Sequence, residues 1–138
     1  MQTFLPYADF RASAECLDNK RLGKQRVEVL QIYKALTVKE YGWKHHPIVK
    51  MWKDYEGALL CYGIITCNEW RSRGFKDSLL EPFKFELAKQ LHVMLPYWLG
   101  NKQLHSSHRS NLLRKDPLFY GKYNWVEGAN LPYVWIKR

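Results

Sequence analysis

Apolar side chains recur every three or four residues along three long segments of this 138-residue chain, and this periodicity limits the fold most. The first segment, residues 13–36, carries a stripe made of Leu22, Val27, Val29, Leu30, Tyr33 and Leu36. Ser13 is predicted as the N-cap of this helix, because its hydroxyl can accept a free backbone N–H. Gly23 lies in the middle of the helix, and a close approach of another group to the backbone would explain it.

The same spacing predicts further helices over residues 48–72 and 82–94, and a shorter one from about residue 106 or 107 to 115. The second ends at Arg73-Gly74, where a cation and a glycine suit a helix C-terminus. Strand signals are few, and the last twenty residues are aromatic without a clear period. We therefore predict an all-α fold: one domain over residues 1–138, a compact bundle of three to four helices with an irregular aromatic C-terminal tail.

Charge and cysteine content narrow the class of protein. The chain has 22 Lys and Arg against 13 Asp and Glu, a net charge of +9, which favours a polyanion such as nucleic acid as partner. Three cysteines without metal-ligand or paired spacing suggest buried free thiols in a reducing compartment. The longest apolar run, residues 58–67, is too short to cross a bilayer, and no secretory signal is present. We expect a soluble cytoplasmic protein that does not bind membranes.

A basic cluster on the first predicted helix is the first candidate site. Lys20, Arg21, Lys24 and Glu28 share one helical face, and Gln25 and Arg26 lie beside it. One interpretation is a solvated charged face in which Lys24 and Glu28 form an ion pair. The other is a helix that binds phosphate groups and carries one carboxylate, which can stabilise an oxocarbenium ion or position a water molecule.

Histidines supply a second set of candidates. His46 precedes Pro47 and is therefore held in an extended conformation, which suits either a rigid functional side chain or a capping role at the turn. His105 and His108 are three residues apart, but no third ligand lies near them in the sequence. We expect no bound metal ion and no cofactor.

The stretch of residues 105–115 is basic and rich in small hydrogen-bonding side chains. Because it is placed at a predicted helix N-terminus, it suits binding of a nucleic-acid backbone. The residues assigned to this contact are His105, Arg109, Asn111, Arg114 and Lys115. The aromatic tail that follows can stack on unpaired bases, or alternatively can cap the core.

Three sequence segments resemble a known enzyme family. They are the basic first helix ending in Arg26-Val27, the middle helix ending in Glu69-Trp-Arg-Ser-Arg-Gly-Phe75, and Lys115-Asp-Pro-Leu-Phe-Tyr-Gly-Lys122. In order and spacing they resemble the pyrimidine-dimer DNA glycosylases of the phage endonuclease V type. The likeness is strongest to short bacterial members that carry Lys-Arg-Leu-Gly-Lys-Gln-Arg-Val-Glu and His-Arg-Ser-Asn-Leu-Leu-Arg-Lys-Asp-Pro.

The resemblance implies a compact all-α enzyme that kinks damaged duplex DNA and extrudes a nucleotide. In that family the N-terminal α-amine forms an imine that cleaves the N-glycosidic bond, and β-elimination then breaks the strand, assisted by a glutamate of the first helix. The resemblance also implies a monomer, DNA with a damaged or modified base as partner, and association with the nucleoid.

The chain departs from the family pattern at two positions. Residue 2 is the bulky Gln2, which predicts that Met1 is retained, and Gly23 stands where the alignment places the catalytic glutamate. Three nucleophiles therefore stay open: the Met1 amine, an amine of Lys20 or Lys24, and a water molecule. In the last case Glu28 would stabilise charge, and His46 or His108 would assist the departing base.

Two functions outside catalysis are alternatives. A non-catalytic module for distorted DNA or structured RNA would keep the charge and the aromatic residues but would not need Glu28. A basic scaffold that binds a protein through its aromatic tail is the other. A DNA glycosylase acting on a damaged pyrimidine is the hypothesis that uses Glu28.

Overall fold

A computed structural model describes residues 1–137 as helices joined by short irregular segments. The helices are α1 (Phe10–Cys16), α2 (Asn19–Thr37), α3 (Pro47–Trp52), α4 (Glu56–Ser72), α5 (Leu80–Ala88), α6 (Lys102–Lys115) and α7 (Pro117–Tyr120), followed by a 3-10 turn at Gly121–Tyr123. No strand occurs in residues 1–137. The predicted all-α fold with an irregular aromatic tail is confirmed.

Helices α2 and α4 pack against each other and form the centre of the bundle. Val29 and Ile32 of α2 and Leu59 and Tyr62 of α4 are fully buried in the same apolar cluster. The contact is tight at Gly23, where an added Cβ would lie 2.8 Å from a ring carbon of Trp70. The expectation that another group approaches Gly23 is confirmed, and that group is an indole of the neighbouring helix.

The predicted first helix is two helices, and its N-cap prediction was wrong. Asp9 caps α1 by accepting a 2.7 Å hydrogen bond from the Ala12 N–H, whereas Ser13 is buried inside α1 and bonds to the Tyr7 backbone. The chain then leaves the helical conformation before α2 begins. Tyr120 of the distant tail bonds to both the backbone and the carboxylate of Asp18 at this break, a contact that local periodicity does not encode.

Two other predicted boundaries need correction. Residues 48–72 divide into α3 and α4 around Asp54, whose φ of +73° is incompatible with a helix. The segment predicted over 82–94 ends at Ala88, and Leu91 and Met94 are exposed rather than buried. Leu91 and Met94 have helical spacing in the sequence, but they do not pack into the core. The predicted end of α4 is confirmed, because Gly74 has a φ of +93°.

Helix α6 begins four residues before its predicted start. The Asn101 side chain caps it by accepting a hydrogen bond from the Leu104 N–H. His105 therefore lies inside the helix and not at its N-terminus.

The cysteines are free, with Cys16 and Cys67 buried and Cys61 partly buried, as the sequence predicts. Within residues 1–137, none of the helices has the length and apolar character needed to span a membrane.

Candidate active site

The first six residues form a buried extended segment that runs through the bundle. Gln2, Thr3, Phe4 and Leu5 are all buried, and Leu5 is completely inaccessible. An extended chain outside a sheet leaves its backbone N–H and C=O groups without ladder partners, and these groups are costly to bury unpaired. Side chains from three helices, α2, α4 and α6, therefore satisfy most of them.

Helices α2 and α4 hold the beginning of this segment. The Gln25 side chain accepts a 2.6 Å hydrogen bond from the Phe4 N–H and donates one of 2.7 Å to the Gln2 carbonyl. The Tyr62 hydroxyl lies 2.7 Å from the Phe4 carbonyl, to which it donates. The backbone on either side of Thr3 is thereby fixed to the core.

Helix α6 holds the end of the segment with three side chains. The Leu5 N–H donates to Nδ1 of His108 at 2.9 Å, and the Leu5 carbonyl accepts from Nδ1 of His105 at 2.7 Å. Arg109 donates to the Pro6 carbonyl at 2.6 Å. Burial lowers the pKa of both histidines, that of His108 to about 3, so both rings are neutral at pH 7.

The segment brings the α-amine of Met1 to a pocket of about 380 Å³ at the surface. The residues that line it are Met1, Gln2, Phe4, Lys20, Arg21, Lys24, Glu28, Lys115 and Tyr133. The Met1 side chain packs against the main apolar cluster, so its backbone is anchored as well. The amine and the carboxylate of Glu28 thus share one cavity.

Glu28 is the only acidic side chain lining this pocket. Its side chain is 10% exposed, whereas that of Lys24 is 72% exposed, and the two charged atoms lie 3.8 Å apart. Burial raises the pKa of Glu28, while the α-amine, Lys24 and the Gln2 N–H partly oppose that shift. Burial thus favours the protonated form of this carboxyl group, an environment typical of carboxyl groups that act as a general acid or base.

Cations surround this carboxylate and leave an excess of positive charge. Lys20, Arg21, Lys24 and Lys115 all line the pocket. Arg21 pairs with Asp18 at 3.2 Å and Lys24 with Glu28 at 3.8 Å. Burial lowers the pKa of Lys115, and the nearby cations Arg21, Arg114 and Lys24 lower it further. Such an excess suits the phosphates of a nucleic-acid backbone.

Several residues assigned to nucleic acid from the sequence are instead inside the protein. Gln25, His105 and Asn111 are each at most 5% exposed, and so is His108, the candidate for assisting the departing base. Their hydrogen bonds go to backbone groups or side chains of this chain, for example from Asn111 to the Ser107 carbonyl at 2.7 Å. Side chains as buried as these cannot contact DNA. The buried polar residues of α6 face the protein interior, so this polar sequence does not form a polar surface.

Three arginines from the predicted set also bond to the protein. Arg26 pairs with buried Asp77 and stacks 4.7 Å from the ring of Trp70. Arg109 forms a 2.7 Å salt bridge with Glu127, whose pKa it lowers to about 2. Arg114 donates to the Ala129 carbonyl at 3.1 Å but remains exposed.

His46 lies outside the pocket and caps α3. Its Nδ1 accepts a 3.1 Å hydrogen bond from the Ile48 N–H, and its ring contacts Trp43 and Trp135 edge to face. Burial lowers its pKa, and the charge of the α-amine lowers it further. The capping role, which the sequence left open, is confirmed.

Some residues of this site had no clear signal in the sequence. Tyr62 and Trp52, which hold the first segment through hydrogen bonds to Phe4 and Thr3, look like ordinary core residues of their helices. Tyr133 lines the pocket from the irregular tail. Asp77 was detectable, because an aspartate two or three residues before an apolar helix is a typical cap, and it does accept from the Leu80 N–H.

Within residues 1–137 no group of three or more histidine, cysteine or acidic side chains is arranged to hold a metal ion.

Most of the residues that line this pocket lie in a segment that matches a known protein family. A family model described as pyrimidine dimer DNA glycosylase matches residues 1–80, more than half of the chain. The chain belongs to the pyrimidine dimer DNA glycosylase family. This match confirms the resemblance noted from the sequence. No curated protein and no solved structure matches the chain.

Membership of this glycosylase family implies DNA glycosylase activity in DNA repair, with DNA that contains pyrimidine dimers as the substrate class. The matched residues include Met1, Lys20, Gln25 and Glu28, whereas α6 and the aromatic tail lie outside the match. At Gly23, where the alignment places the family's glutamate, the indole of Trp70 fills the space. The carboxylate of this pocket comes from Glu28, on the next turn of the helix.

Proposed function

We propose that this protein removes a damaged pyrimidine base from double-stranded DNA, with the α-amine of Met1 as nucleophile and Glu28 as the group that transfers protons. The observation that carries the proposal is their placement: both line one pocket, and the amine stands at the end of a buried segment fixed by hydrogen bonds. Holding a nucleophile in place removes much of the entropic cost of the reaction.

The reaction begins at C1′ of the damaged nucleotide. The neutral amine forms a bond to C1′ while the C1′–N bond to the base breaks, and the departing base takes the electron pair and a proton. The amine nitrogen loses a proton, and its lone pair then forms a double bond to C1′ while the C1′–O4′ bond breaks. O4′ takes that electron pair and a proton, which leaves a protonated imine between Met1 and C1′. Glu28 is placed to supply and to accept these protons.

Strand cleavage follows from the imine. Removal of a proton from C2′ by the Glu28 carboxylate drives β-elimination, in which the C3′–O bond breaks and the 3′ phosphate leaves with the electron pair. Hydrolysis of the conjugated imine releases the sugar aldehyde and restores the amine. Associated lyase activity on abasic sites is therefore part of the proposal.

Met1 is the preferred amine because the protein fixes it. Gln2, which follows it, is too bulky to favour removal of Met1, and the Met1 side chain packs against the core. Lys24 is largely exposed by comparison, and Lys20 is also exposed. These two lysines and Lys115 are assigned to the phosphates beside the damaged nucleotide.

The substrate is DNA whose damaged nucleotide leaves the helix stack. Extrusion costs a few kcal/mol and is cheapest at a distorted lesion, which contributes to selectivity. The pocket mouth carries the cations, and Tyr133 offers an aromatic ring beside it. We propose that the protein acts as a monomer in the cytoplasm, on the DNA of the nucleoid.

The test uses three duplexes that contain a cyclobutane pyrimidine dimer, an abasic site or no damage, each incubated with and without borohydride. We expect base release and strand cleavage at the dimer and a reduced covalent adduct on the first two duplexes only. Base release is measured at the dimer as cleavage of the C1′–N bond, because the cyclobutane ring keeps the freed base attached to the neighbouring pyrimidine. A variant extended by two residues before Met1 is the control, because it keeps every cation but displaces the amine. It should bind DNA and form no adduct.

Tight binding of damaged DNA by the unmodified protein, without base release or adduct, would overturn the proposal in favour of a non-catalytic binding module. Base release without an adduct would instead assign the attack to water.

A further inference from the structure

Through its hydrogen bonds Gln25 connects Glu28 to the backbone beside the Met1 amine, the two groups to which the proposed function assigns catalysis. Its side chain is completely buried, and each of its two polar atoms has two partners. Oε1 faces the Phe4 N–H at 2.6 Å and the Tyr62 hydroxyl at 3.0 Å. Nε2 faces the Gln2 carbonyl at 2.7 Å and Oε2 of Glu28 at 3.3 Å.

These contacts allow one orientation of the amide. A glutamine side chain offers two donors and two acceptor sites. Both donors are used here, and Oε1 accepts from the Phe4 N–H, while the single Tyr62 hydroxyl proton goes to the Phe4 carbonyl. A reversed amide would point its N–H groups at the Phe4 N–H and its oxygen at the Gln2 carbonyl. Leaving such buried groups unpaired is costly, so the chain itself fixes which atom faces Glu28.

We propose that Gln25 is a positioning residue, which sets the placement of the Met1 amine relative to the Glu28 carboxylate. The inference rests on the proposed function. One N–H of Gln25 holds the carbonyl of the residue next to the nucleophile, and the other holds the carboxylate. Displacing either group by about 1 Å is enough to slow a reaction about 100-fold.

If Gln25 had a purely structural role, its hydrogen bonds to the backbone of the first segment would be sufficient. The contact with Glu28 goes further, because it donates to the charged form of that carboxyl group and so favours it. The groups that face Glu28 are the α-amine, Lys24 of its own helix, Lys115 of α6, Tyr62 of α4 and Tyr133 of the tail. A change at Gln25 should therefore alter the pH dependence of the reaction as well as its rate.

The decisive variants are Gln25→Glu and Tyr62→Phe. Gln25→Glu keeps the shape but turns an acceptor toward Glu28. Tyr62→Phe removes a neighbour of Oε1 and the bond to Phe4, yet keeps both bonds made by Nε2. Gln31→Met is the control on the same helix, because Gln31 is partly exposed and does not line the pocket.

The measurement is the rate of borohydride-trapped imine on a preformed abasic duplex, in single turnover from pH 5.5 to 8.5, with the Kd for the same duplex. For Gln25→Glu we expect a rate about 100-fold lower at pH 7, an acid limb shifted to higher pH, and a Kd within about threefold of the original. Tyr62→Phe should lower the Tm and reduce the rate by much less than Gln25→Glu does, without shifting the acid limb. The Gln31→Met variant should match the original protein in each measurement.

Three results would overturn the inference. If Gln25→Glu keeps its rate and pH profile while the original protein forms the imine, only the positioning role falls. If Tyr62→Phe loses as much rate as Gln25→Glu and neither shifts the pH profile, Gln25 acts through stability alone. If the original protein forms no imine, the inference falls together with the proposed function. Circular dichroism establishes that each variant is folded, and a Gln25→Glu protein that does not fold is replaced by Gln25→Met, for which we expect the same loss of rate.

Discussion

Helices α2 and α6 carry polar side chains of similar kinds but use them in opposite ways. The pocket face of α2 presents Lys20, Lys24 and Glu28 to a cavity that is open to solvent. The corresponding residues of α6, among them His105 and Arg109, bond to the chain itself. The first face is available to a ligand, and the second serves as the support that holds the nucleophile-bearing segment.

The difference lies in what covers each helix. The N-terminal segment crosses α6 and takes up its hydrogen-bonding groups, and the tail adds Glu127 against Arg109. Beside Met1 and Gln2, by contrast, Lys20, Lys24 and Glu28 of α2 line an open pocket. The N-terminal segment therefore covers the polar groups of α6 but leaves this face of α2 open.

Removing the carboxylate of α2 should have the largest effect. Glu28→Gln keeps the shape and the contact with Gln25 but cannot transfer protons, so we expect base release to fall about 1,000-fold. The measurement is single-turnover base release from dimer-containing duplex at pH 7. Glu81→Gln, an exposed glutamate of α5, is the control and should lose less than about twofold. Retention of more than a tenth of the rate by Glu28→Gln would remove it from the reaction.

Removing a side chain of α6 that holds the N-terminal segment should mainly lower the free energy of unfolding. Arg109→Met leaves the Glu127 carboxylate buried without its partner and frees the Pro6 carbonyl, so we expect a loss of about 3 kcal/mol in the free energy of unfolding. Urea denaturation measures it. Lys84→Met, in an exposed pair with Glu81, should cost no more than about 0.5 kcal/mol. Equal losses in the two variants would mean that α6 does not clamp the segment.

The buried histidines predict how this support depends on pH. The pKa of His108 is lowered from 6.5 to about 3, so the unfolded chain binds a proton more readily than the folded one in this interval. Stability should be complete above pH 6.5 and fall as the pH decreases toward 3, by about 2 kcal/mol between pH 7 and pH 5 for this residue.

His108→Asn tests this dependence, since its side-chain oxygen can still accept from the Leu5 N–H. Denaturation at pH 7 and pH 5 should show a smaller difference for the variant than for the original protein. An unchanged difference would assign the acid sensitivity to other groups, such as His105.

The smallest expected effect separates two neighbouring cations at the end of α6. Lys115 lines the pocket, whereas Arg114 bonds to carbonyls of the tail. Lys115→Met should weaken binding to any duplex by about 1 kcal/mol and reduce the slope of log Kd against log salt by about 1. Arg114→Met should leave that slope unchanged. The same reduction in both variants would show that the pocket is not where the phosphates bind.

Sequence periodicity predicted the helical class because it depends on residues close together in the chain. The glycine at position 23 indicated a close approach, but not that its partner is Trp70 of α4. Periodicity did not predict the breaks at Asp18 and Asp54, because one depends on Tyr120 from the tail and the other on a positive φ. It extended α5 through Leu91, which has helical spacing but no partner surface.

The site was predictable in its chemistry and not in its geometry. The spacing of Lys24 and Glu28 predicted their proximity, and the resemblance supplied the α-amine. Nothing in the local sequence indicates that His105 and His108 contact Leu5, about a hundred residues away. Polar residues near one another in sequence were therefore assigned to DNA, although the fold had given some of them to the N-terminal segment.

The most direct measurement is the location of the adduct trapped by borohydride on abasic DNA. Trypsin releases residues 1–11 as one peptide that contains no lysine, so the α-amine is its only primary amine. The account predicts that the sugar remnant is found on this peptide. An adduct on Lys20, Lys24 or Lys115, with an unmodified N-terminal peptide, would contradict it.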